Sequence, residues 1–485
     1  MNLIEQIDHW ALTAPNAIAH ISGDQRLTYG ELRQRSNALA AHLITRFGEA
    51  PTPIAVLGHR EPGLLIAFLA AAKSRKPYIP LDTALPQQRL DKILTIARPA
   101  LLLRPNDVME LSGSGAAAPV IATRRDDPFY ILFTSGSTGD PKGVIITREC
   151  VQHFVTWMVE QQKFLPFSET FLNTAPFSFD LSVMDLYCSL STGGTLFSIS
   201  RDLVANPKML FHALGSSGTT TWVSTPSFAQ MCLVEEKFAE AMLPRIRRFL
   251  FCGETLAAQT AAHLLERFPQ AEVWNMYGPT EATVATTSIR IDHFILEKYA
   301  ALPVGRAMPE TEVFVANEAG DVLPANKRGE IVIAGPNVSP GYLGRPDLTS
   351  TNFFEYRGRR AYRTGDQGRV RDDLLFFEGR LDSQVKLSGY RIELGDVEAN
   401  LLGLSEIRAA VVTPLLKNGA PHSLAAFVVL SSRTAESDFE LTQLLRRQLS
   451  ERLPVYMVPR KFVFRDSFPM TANGKVDRAR LARSL

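Results

Sequence analysis

The sequence predicts an α/β protein with a large N-terminal domain of layered α/β subdomains and a β-rich subdomain, followed by a small α+β domain. Two observations lead to this prediction. Buried strands alternate with helices over most of the chain, which is typical of layered, largely parallel sheets. From about residue 310 the pattern changes to short strands separated by turn residues. The chain of 485 residues is long enough for two or three domains.

The first elements follow from local patterns. Residues 3–47 predict a helix, a short strand and a second helix. Thr28 suits the N-cap of the second helix, because Glu31 stands three residues later, as in a capping box. The segments PIAVLGH and KPYIPLD predict buried strands around the helix PGLLIAFLAAAKS, and FYILFT, TTTWVSTP and RRFLFCGE predict further strands.

The β-rich part consists of TEVFVAN, GEIVIAG, RGRRAYRT and DLLFFEG, which predict an antiparallel sheet or barrel. A new unit begins near Asp382, with a helix at about 394–403, two strands, the helix ELTQLLRRQLSERL and a last strand. We therefore predict domains at 1–381 and 382–485. The second has 15 Lys and Arg residues against 11 Asp and Glu, a net charge of +4.

Composition excludes several classes of protein. The net charge of +2 gives no reason to expect a nucleic-acid surface. The four cysteines lack metal-ligand spacing, which is typical of reduced thiols in a cytoplasmic protein. The N-terminus lacks the pattern of a signal peptide, and no apolar stretch reaches the ~18 residues that a membrane helix needs.

One loop indicates phosphate binding. Between two apolar runs lies TSGSTGDPKG, with the hydroxyl residues Thr134, Ser135, Ser137 and Thr138, the glycines Gly136 and Gly139, and Lys142. The Walker and GxGxxG patterns are both absent. Such a loop can wrap a triphosphate with its hydroxyls, free backbone N–H groups and one cation. Alone, it could equally be a surface linker.

The loop is the first of seven motifs in a fixed order. The others are FSFDLSVMDLY (177–187), NMYGPTEATVA (275–285), GEIVIAGPNVSPGYLGRP (329–346), YRTGD (362–366), FEGRLDSQVKLSGYRIELGDVE (377–398) and PMTANGKVDR (469–478). Together they make the chain resemble the adenylate-forming superfamily of amino-acid-activating adenylation domains, acyl-CoA synthetases and luciferases. This resemblance implies that a carboxylate attacks the α-phosphate of ATP and expels pyrophosphate, with Mg²⁺ as a cofactor.

The resemblance also implies roles for single residues of this sequence. Residues 134–143 would hold the β- and γ-phosphates. Tyr277 would stack on adenine, Thr280 would meet the α-phosphate, and Glu281 would bind Mg²⁺. Asp366 would bind the ribose hydroxyls. Arg380 would either contribute nearby or form a salt bridge at the hinge.

The C-terminal domain is expected to be mobile. By the same resemblance, Lys475 would reach both the substrate carboxylate and the phosphate. The domain would swing about Asp382 and so exchange Lys475 for the loop around Gly389, which opens a route for a thiol. Hinges commonly lie at the ends of elements.

Asp180 narrows the substrate class. A charge in a mostly apolar run is costly unless it is paired, and amino-acid-activating members of the superfamily bind the substrate α-ammonium with an Asp here. The alternative is that Asp180 only caps a helix. The same resemblance places a small, uncharged pocket around the substrate side chain, lined by Leu181, Met184, Val223, Leu250, Cys252, Met276, Val284 and Ala285.

Several of these segments resemble the D-alanine–carrier protein ligase family more closely. That resemblance implies D-alanine as the substrate, Cys252 as the residue that favours the D enantiomer, and the phosphopantetheine thiol of a separate carrier protein as the acceptor. The alternatives are ligases for L-alanine, L-proline or another small L-amino acid, an acyl-CoA ligase, and a catalytically idle nucleotide-binding scaffold that docks a carrier.

Overall fold

The structure is a computed structural model, and it describes residues 1–113, 121–136, 139–382, 384–387, 389–417, 420–431, 437–470 and 476–485. The chain divides into two compact units. The first unit consists of Met1–Thr83, Ala97–Leu132 and Gly143–Leu381. The second unit consists of Ala84–Ile96, Phe133–Lys142 and Asp382–Leu485. The domain boundaries that the sequence suggests stay a prediction.

The α-helices of the described residues are α1 (Leu3–Thr13), α2 (Tyr29–Phe47), α3 (Pro62–Lys73), α4 (Gln87–Ala97), α5 (Pro105–Leu111), α6 (Arg148–Gln162), α7 (Leu181–Ser191), α8 (Arg201–Ala205), α9 (Pro207–Ser216), α10 (Pro226–Leu233), α11 (Ala258–Arg267), α12 (His293–Lys298), α13 (Pro346–Asn352), α14 (Leu394–Leu402), α15 (Asp438–Ser450) and α16 (Arg478–Ala482). Single turns of 3₁₀-helix lie at Thr280–Ala282 and Val455–Met457.

The strands are β1 (Ile18–Ser22), β2 (Gln25–Thr28), β3 (Ile54–Gly58), β4 (Tyr78–Asp82), β5 (Leu101–Leu103), β6 (Pro128–Thr134), β7 (Lys142–Thr147), β8 (Thr170–Asn173), β9 (Thr195–Ser198), β10 (Thr221–Ser224), β11 (Arg248–Phe251), β12 (Glu272–Tyr277), β13 (Thr287–Ile291), β14 (Arg306–Ala307), β15 (Glu312–Ala316), β16 (Gly329–Ala334), β17 (Gly341–Tyr342), β18 (Phe353–Tyr356), β19 (Arg359–Arg371), β20 (Leu374–Arg380), β21 (Gln384–Leu387), β22 (Tyr390–Glu393), β23 (Ile407–Lys417), β24 (Ala420–Leu430) and β25 (Lys461–Phe464).

Two sheets with parallel centres form the layers of the first unit. One sheet has nine strands in the order β14-β13-β12-β11-β10-β8-β9-β1-β2, and its run from β12 to β1 is parallel. The other has six strands in the order β17-β7-β6-β4-β3-β5, with β4, β3 and β5 parallel. Ligands of parallel sheets usually bind beyond the carboxyl ends of the strands. A ligand site is therefore expected at the carboxyl ends of β10, β11 and β12.

The β-rich part is a five-stranded antiparallel sheet. Strands β15, β16, β19 and β18 lie in that order, and β20 also pairs with β19. Gly358 lies in the turn between β18 and β19, and Asp372 and Asp373 form the turn between β19 and β20. The predicted α/β class, with an antiparallel part after the parallel layers, is confirmed.

The second unit has its own core. A β21–β22 hairpin and the three-stranded sheet β23-β24-β25 pack with α14 and α15 around buried Val397, Val428 and Leu441. The segment that contains α4 belongs to this unit, where Arg89 and Asp396 form a buried ion pair with a 3.0 Å distance from Nη2 to Oδ2.

Local signals behave as predicted at the start of α2. Thr28 accepts a hydrogen bond from the N–H of Glu31, and the Glu31 carboxylate accepts one from the N–H of Thr28. This capping box satisfies N–H groups at the start of the helix that would otherwise lack partners. Within the described part of the chain, every helix is too short or too polar to cross a membrane.

Candidate active site

Three side chains from strands of two sheets form a hydrogen-bonded cluster in the first unit. Tyr277 ends β12, and Asp366 in β19 pairs with Arg380 at the end of β20. The Tyr277 hydroxyl donates to Oδ2 of Asp366 at 2.6 Å, and Arg380 Nη1 donates to Oδ1 at 2.6 Å. Burial and then the charge of Asp366 raise the pKa of Tyr277, so the phenol stays protonated and remains the donor. Three residues predicted to hold a nucleotide therefore meet at one place.

Asp366 lies inside β19, whereas the predicted strand RGRRAYRT ends before it, at Thr364. Strand β19 runs on to Arg371 because Gly365 adopts a φ of +67° and its N–H is held by Glu330 Oε1 at 3.0 Å. The pairing with β20 shifts register between Gln367 and Gly368. Glycine thus lets the strand continue past residues that resemble a turn.

The turn Thr280–Ala282 carries two predicted site residues. Glu281 is fully buried, and its Oε1 accepts a hydrogen bond from the Tyr342 hydroxyl at 2.8 Å. Its backbone carbonyl accepts another from the N–H of Ser339 at 2.9 Å. Residues of the GPNVSPGY segment therefore fix both the side chain and the backbone of Glu281.

Asp180 stands at the N-cap position of α7, but its side chain makes no capping hydrogen bond there. Its Oδ2 instead accepts from the hydroxyl of Thr280 at 2.6 Å. Asp180 is only 9% exposed. The residue predicted to bind an α-ammonium and the residue predicted to meet the α-phosphate are thus in direct contact. The alternative interpretation of Asp180 as a helix cap has no support in this geometry.

The residues predicted around the substrate side chain belong to one buried hydrophobic cluster. Val223 and Leu250 are paired across β10 and β11, and Met276 lies in the next strand, β12. The thiol of Cys252 donates to the carbonyl of Val284 at 3.5 Å. All eight predicted positions belong to this cluster, which also includes residues from many other elements of the first unit, and each is at most 2% exposed: Leu181, Met184, Val223, Leu250, Cys252, Met276, Val284 and Ala285.

The described part of the phosphate loop belongs to the second unit, except Gly143. The Thr134 hydroxyl is buried and has no hydrogen-bond partner among the described residues. Ser135 Oγ donates to the carbonyl of Arg391 at 2.8 Å and accepts from the N–H of Glu393 at 3.0 Å. At Gly136 a Cβ would lie 2.2 Å from the carbonyl oxygen of Asp140, so the close approach requires glycine.

Of the other site residues predicted in the second unit, the structure describes Asp382 and Gly389. Asp382 Oδ1 accepts from the N–H of Gln384 at 3.1 Å, and Gly389 has a φ of +85° in the β21–β22 hairpin. Ser137, Thr138 and Lys475 lie outside the described residues. Their predicted roles stay predictions.

Comparison with known proteins decides the family. A family model described as "AMP-binding enzyme" matches residues 7–343, and one described as "AMP-binding enzyme C-terminal domain" matches residues 396–475. The chain belongs to the AMP-binding enzyme family.

Relatives of this AMP-binding enzyme cover its whole length. It is 45% identical over 498 residues to a D-alanine–D-alanyl carrier protein ligase of Bacillus anthracis (strain CDC 684 / NRRL 3495), which covers 99% of each chain. It is 44% identical over 499 residues to the ligase of the same name from Bacillus thuringiensis (strain Al Hakam), again over 99% of each. The predicted superfamily and the predicted class of enzyme, a ligase, are confirmed. Such adenylate-forming ligases use ATP, as predicted.

Solved structures agree on the fold. The Vibrio cholerae adenylation domain AlmE, in complex with glycyl-adenosine-5'-phosphate, has a TM-score of 0.85 at 22% identity and covers 99% of this chain and 97% of its own. An NRPS protein containing adenylation and PCP domains has a TM-score of 0.83 at 25% identity and covers 100% of this chain and 84% of its own.

Sequence reasoning missed two residues that support the site of the AMP-binding enzyme. Tyr342 holds Glu281, and Asn337, which is fully buried, bonds to the turn after Glu281. Both lie in the motif GEIVIAGPNVSPGYLGRP, in which the family resemblance implies no role for single polar residues. Asn337 stands in a mostly apolar segment, and a buried polar residue usually has hydrogen-bond partners, so its position could have indicated a structural role.

The acidic residues of the enzyme fit a magnesium ion held mainly by its substrate. No group of three or more His, Cys, Asp or Glu side chains suited to a metal occurs among the described residues. Mg²⁺ usually binds through one or two carboxylates plus substrate phosphates and waters. A single buried carboxylate oriented by a tyrosine hydroxyl, as at Glu281, suits that arrangement.

Proposed function

We propose that this AMP-binding enzyme activates D-alanine with ATP to D-alanyl-AMP and transfers the D-alanyl group to the phosphopantetheine thiol of a separate carrier protein. The observation that carries the proposal is the contact of Asp180 with Thr280, in the unit whose buried hydrophobic cluster contains all eight residues predicted around the substrate side chain. The full-length relatives, named as D-alanine–D-alanyl carrier protein ligases, support the choice of substrate and acceptor.

The first step is an attack of the substrate carboxylate on ATP. One carboxylate oxygen forms a bond to the α-phosphorus, the bond from this phosphorus to the β-bridging oxygen breaks, and pyrophosphate leaves with the electron pair. The carboxylate is already the nucleophile, so no base is needed. The protein must hold like charges together and stabilise the charge that develops.

The amino acid is held at Asp180. The carboxylate of Asp180 binds the α-ammonium, and one carbon separates that group from the substrate carboxylate. The reacting oxygen therefore lies near Thr280, the residue assigned to the α-phosphate. The pocket around Met184, Val223 and Cys252 takes the methyl group.

Tyr277, Asp366 and Arg380 hold the adenosine end of ATP. Each carboxylate oxygen of Asp366 accepts one protein hydrogen bond, and a carboxylate oxygen can accept more than one. The ribose hydroxyls can therefore share Asp366 with Tyr277 and Arg380.

The phosphate loop, including Ser137, Thr138 and Lys142, binds the β- and γ-phosphates. Glu281 would hold Mg²⁺, which would supply positive charge to neutralise the phosphates. Lys475 from residues 382–485 stabilises the carboxylate and α-phosphate during adenylation.

The second step is transfer to a thiol. The thiol sulfur forms a bond to the acyl carbon, the bond from this carbon to the phosphate oxygen breaks, AMP leaves, and the thiol proton passes to water. Residues 382–485 reorient about Asp382 and place Gly389 toward the site. We assign the reaction to the cytoplasm, which supplies ATP and keeps the four thiols reduced.

The test is amino-acid-dependent exchange of pyrophosphate into ATP with D-Ala, L-Ala, Gly, L-Ser, L-Pro and L-Val. A preference for D-Ala is expected, followed by AMP release and thioester formation when a phosphopantetheinylated carrier is added. Preference for an L-amino acid would overturn the substrate but keep the mechanism. No exchange with any of them, together with consumption of CoA and a fatty or aryl acid, would overturn the proposal.

A further inference from the structure

A backbone turn beside the amino-acid pocket is strained. Thr283 has φ 59° and ψ 79°, and Val284 has φ 68°. They are the only β-branched residues with positive φ in the part of the chain that the structure describes. Branching at Cβ makes this conformation unfavourable, so such residues keep it only where their surroundings impose it.

The strained turn forms one wall of the site. Thr280 and Glu281 come directly before it, and the carbonyl of Val284 accepts the thiol of Cys252. A 2.7 Å hydrogen bond from the N–H of Thr286 to the carbonyl of Tyr277 joins the two ends of the segment that contains the turn. A shift of the turn would therefore move the pocket wall at Val284.

Asn337 holds this turn on both sides. Its Nδ2 donates to the carbonyl of Ala282 at 2.9 Å and to Thr286 Oγ1 at 3.1 Å. Its own backbone carbonyl accepts the hydroxyl of Thr283 at 2.8 Å. Three hydrogen bonds from one fully buried residue thus enclose the two strained positions.

The orientation of the Asn337 amide is itself fixed. Thr311 Oγ1 donates to Asn337 Oδ1 at 3.0 Å, which leaves the NH₂ group for Ala282 and Thr286. Close packing limits relaxation on the other side, since a Cβ at Gly278 would lie 2.7 Å from Cα of Ala285.

We propose that Asn337 is a positioning residue that determines amino-acid selectivity by keeping Val284 in its strained conformation against Cys252. The inference rests on the proposed function, because it concerns the same pocket. Asn337 is not among the residues predicted to surround the substrate side chain. Its loss lets the turn relax toward negative φ, and the pocket then discriminates less between the enantiomers of alanine.

The experiment compares Asn337→Ala with the matched control Asn317→Ala, which removes an amide that bonds a turn at Asp321. Pyrophosphate exchange gives kcat and KM for D-Ala, L-Ala and ATP. We expect the ratio of kcat/KM for D-Ala to that for L-Ala to fall about tenfold, mainly through KM for D-Ala. We expect KM for ATP to change less than about twofold, and Asn317→Ala to match the wild type.

The ratio separates a positioning role from a general loss of folded protein, because it does not depend on the active fraction. An unchanged ratio in folded Asn337→Ala overturns the inference. If that variant does not fold, Thr311→Val removes only the bond that orients the amide, and an unchanged ratio there overturns it equally. A wild type without amino-acid-dependent exchange would instead overturn the proposed function.

Discussion

The hydroxyl of Thr280 lies 2.6 Å from Oδ2 of Asp180, although the two residues are 100 positions apart in the chain. Asp180 is the N-cap of α7, and Thr280 begins the turn after β12. The contact therefore joins the two elements that we propose to hold the substrate amine and the reacting phosphate. A substrate with both an ammonium and a carboxylate can span the two positions.

Replacing Asp180 with Asn removes the charge that we propose to pair with the substrate ammonium. We expect KM for D-alanine to rise by about 100-fold, since an unpaired buried charge is strongly unfavourable, while KM for ATP stays near the wild-type value. Pyrophosphate exchange measures both. Asp24→Asn, an exposed carboxylate between β1 and β2, is the control, and equal effects of the two variants would refute the role of Asp180.

Tyr277→Phe removes the hydrogen bond to Asp366 and keeps the aromatic ring. We expect KM for ATP to rise about tenfold, because a hydrogen bond to a charged group is lost, with little change in KM for the amino acid. Tyr356→Phe serves as control, because the Tyr356 ring packs on Phe314 away from this cluster. An unchanged KM for ATP would contradict the assignment of the cluster to the nucleotide.

Lys475→Ala separates the two half-reactions. We expect adenylate formation to slow by about 100-fold or more, as for loss of a group that stabilises transition-state charge. Transfer from chemically supplied D-alanyl-AMP to the carrier should continue. Lys461→Ala, in β25, is the control. Near-normal adenylate formation in Lys475→Ala would show that the mechanism is wrong.

His20 makes the stability of the first unit depend on pH. Burial, and secondly the charge of Arg60, lower the pKa of His20 from 6.5 to about 3. Between these values the unfolded chain binds a proton that the folded chain does not. The free energy of unfolding is therefore highest above pH 6.5. As the pH falls below that value, it decreases by about 1.4 kcal/mol per pH unit.

Urea unfolding at pH 7 and pH 5, followed by tryptophan fluorescence, measures this slope, since all four tryptophans lie in the first unit. We expect His20→Gln to flatten the slope by about 1.4 kcal/mol per pH unit below pH 6.5. His293→Gln, on the exposed face of α12, should leave the slope unchanged. The same slope in the wild type and His20→Gln would contradict the prediction.

Much of the fold could be predicted because local signals agree with tertiary packing. The capping box at Thr28, the alternation of strands and helices, and the change to antiparallel strands are all found where the sequence indicates them. The position of Asp366 inside β19 could not be predicted, because a glycine in an extended strand and a glycine in a turn look alike in sequence.

The site could be predicted only as a set of residues. Motif order assigned Asp180 and Thr280 to different substrate groups, but not their hydrogen bond, which depends on how β12 is placed against α7. The role of Asn337 also depends on distant partners, Ala282 and Thr311, whose proximity no local pattern encodes.

All four cysteines are buried in the first unit and form no disulfide, and residues 382–485 contain none. Burial raises the pKa of Cys150, Cys188 and Cys232, the last to about 12, so these three thiols supply little thiolate near neutral pH. Cys252 is only 2% exposed. One cysteine introduced on α15, such as Arg447→Cys, would be the preferred target of a maleimide dye in the native protein. Fluorescence energy transfer from the native tryptophans to that dye would then test whether residues 382–485 reorient during turnover, as we propose.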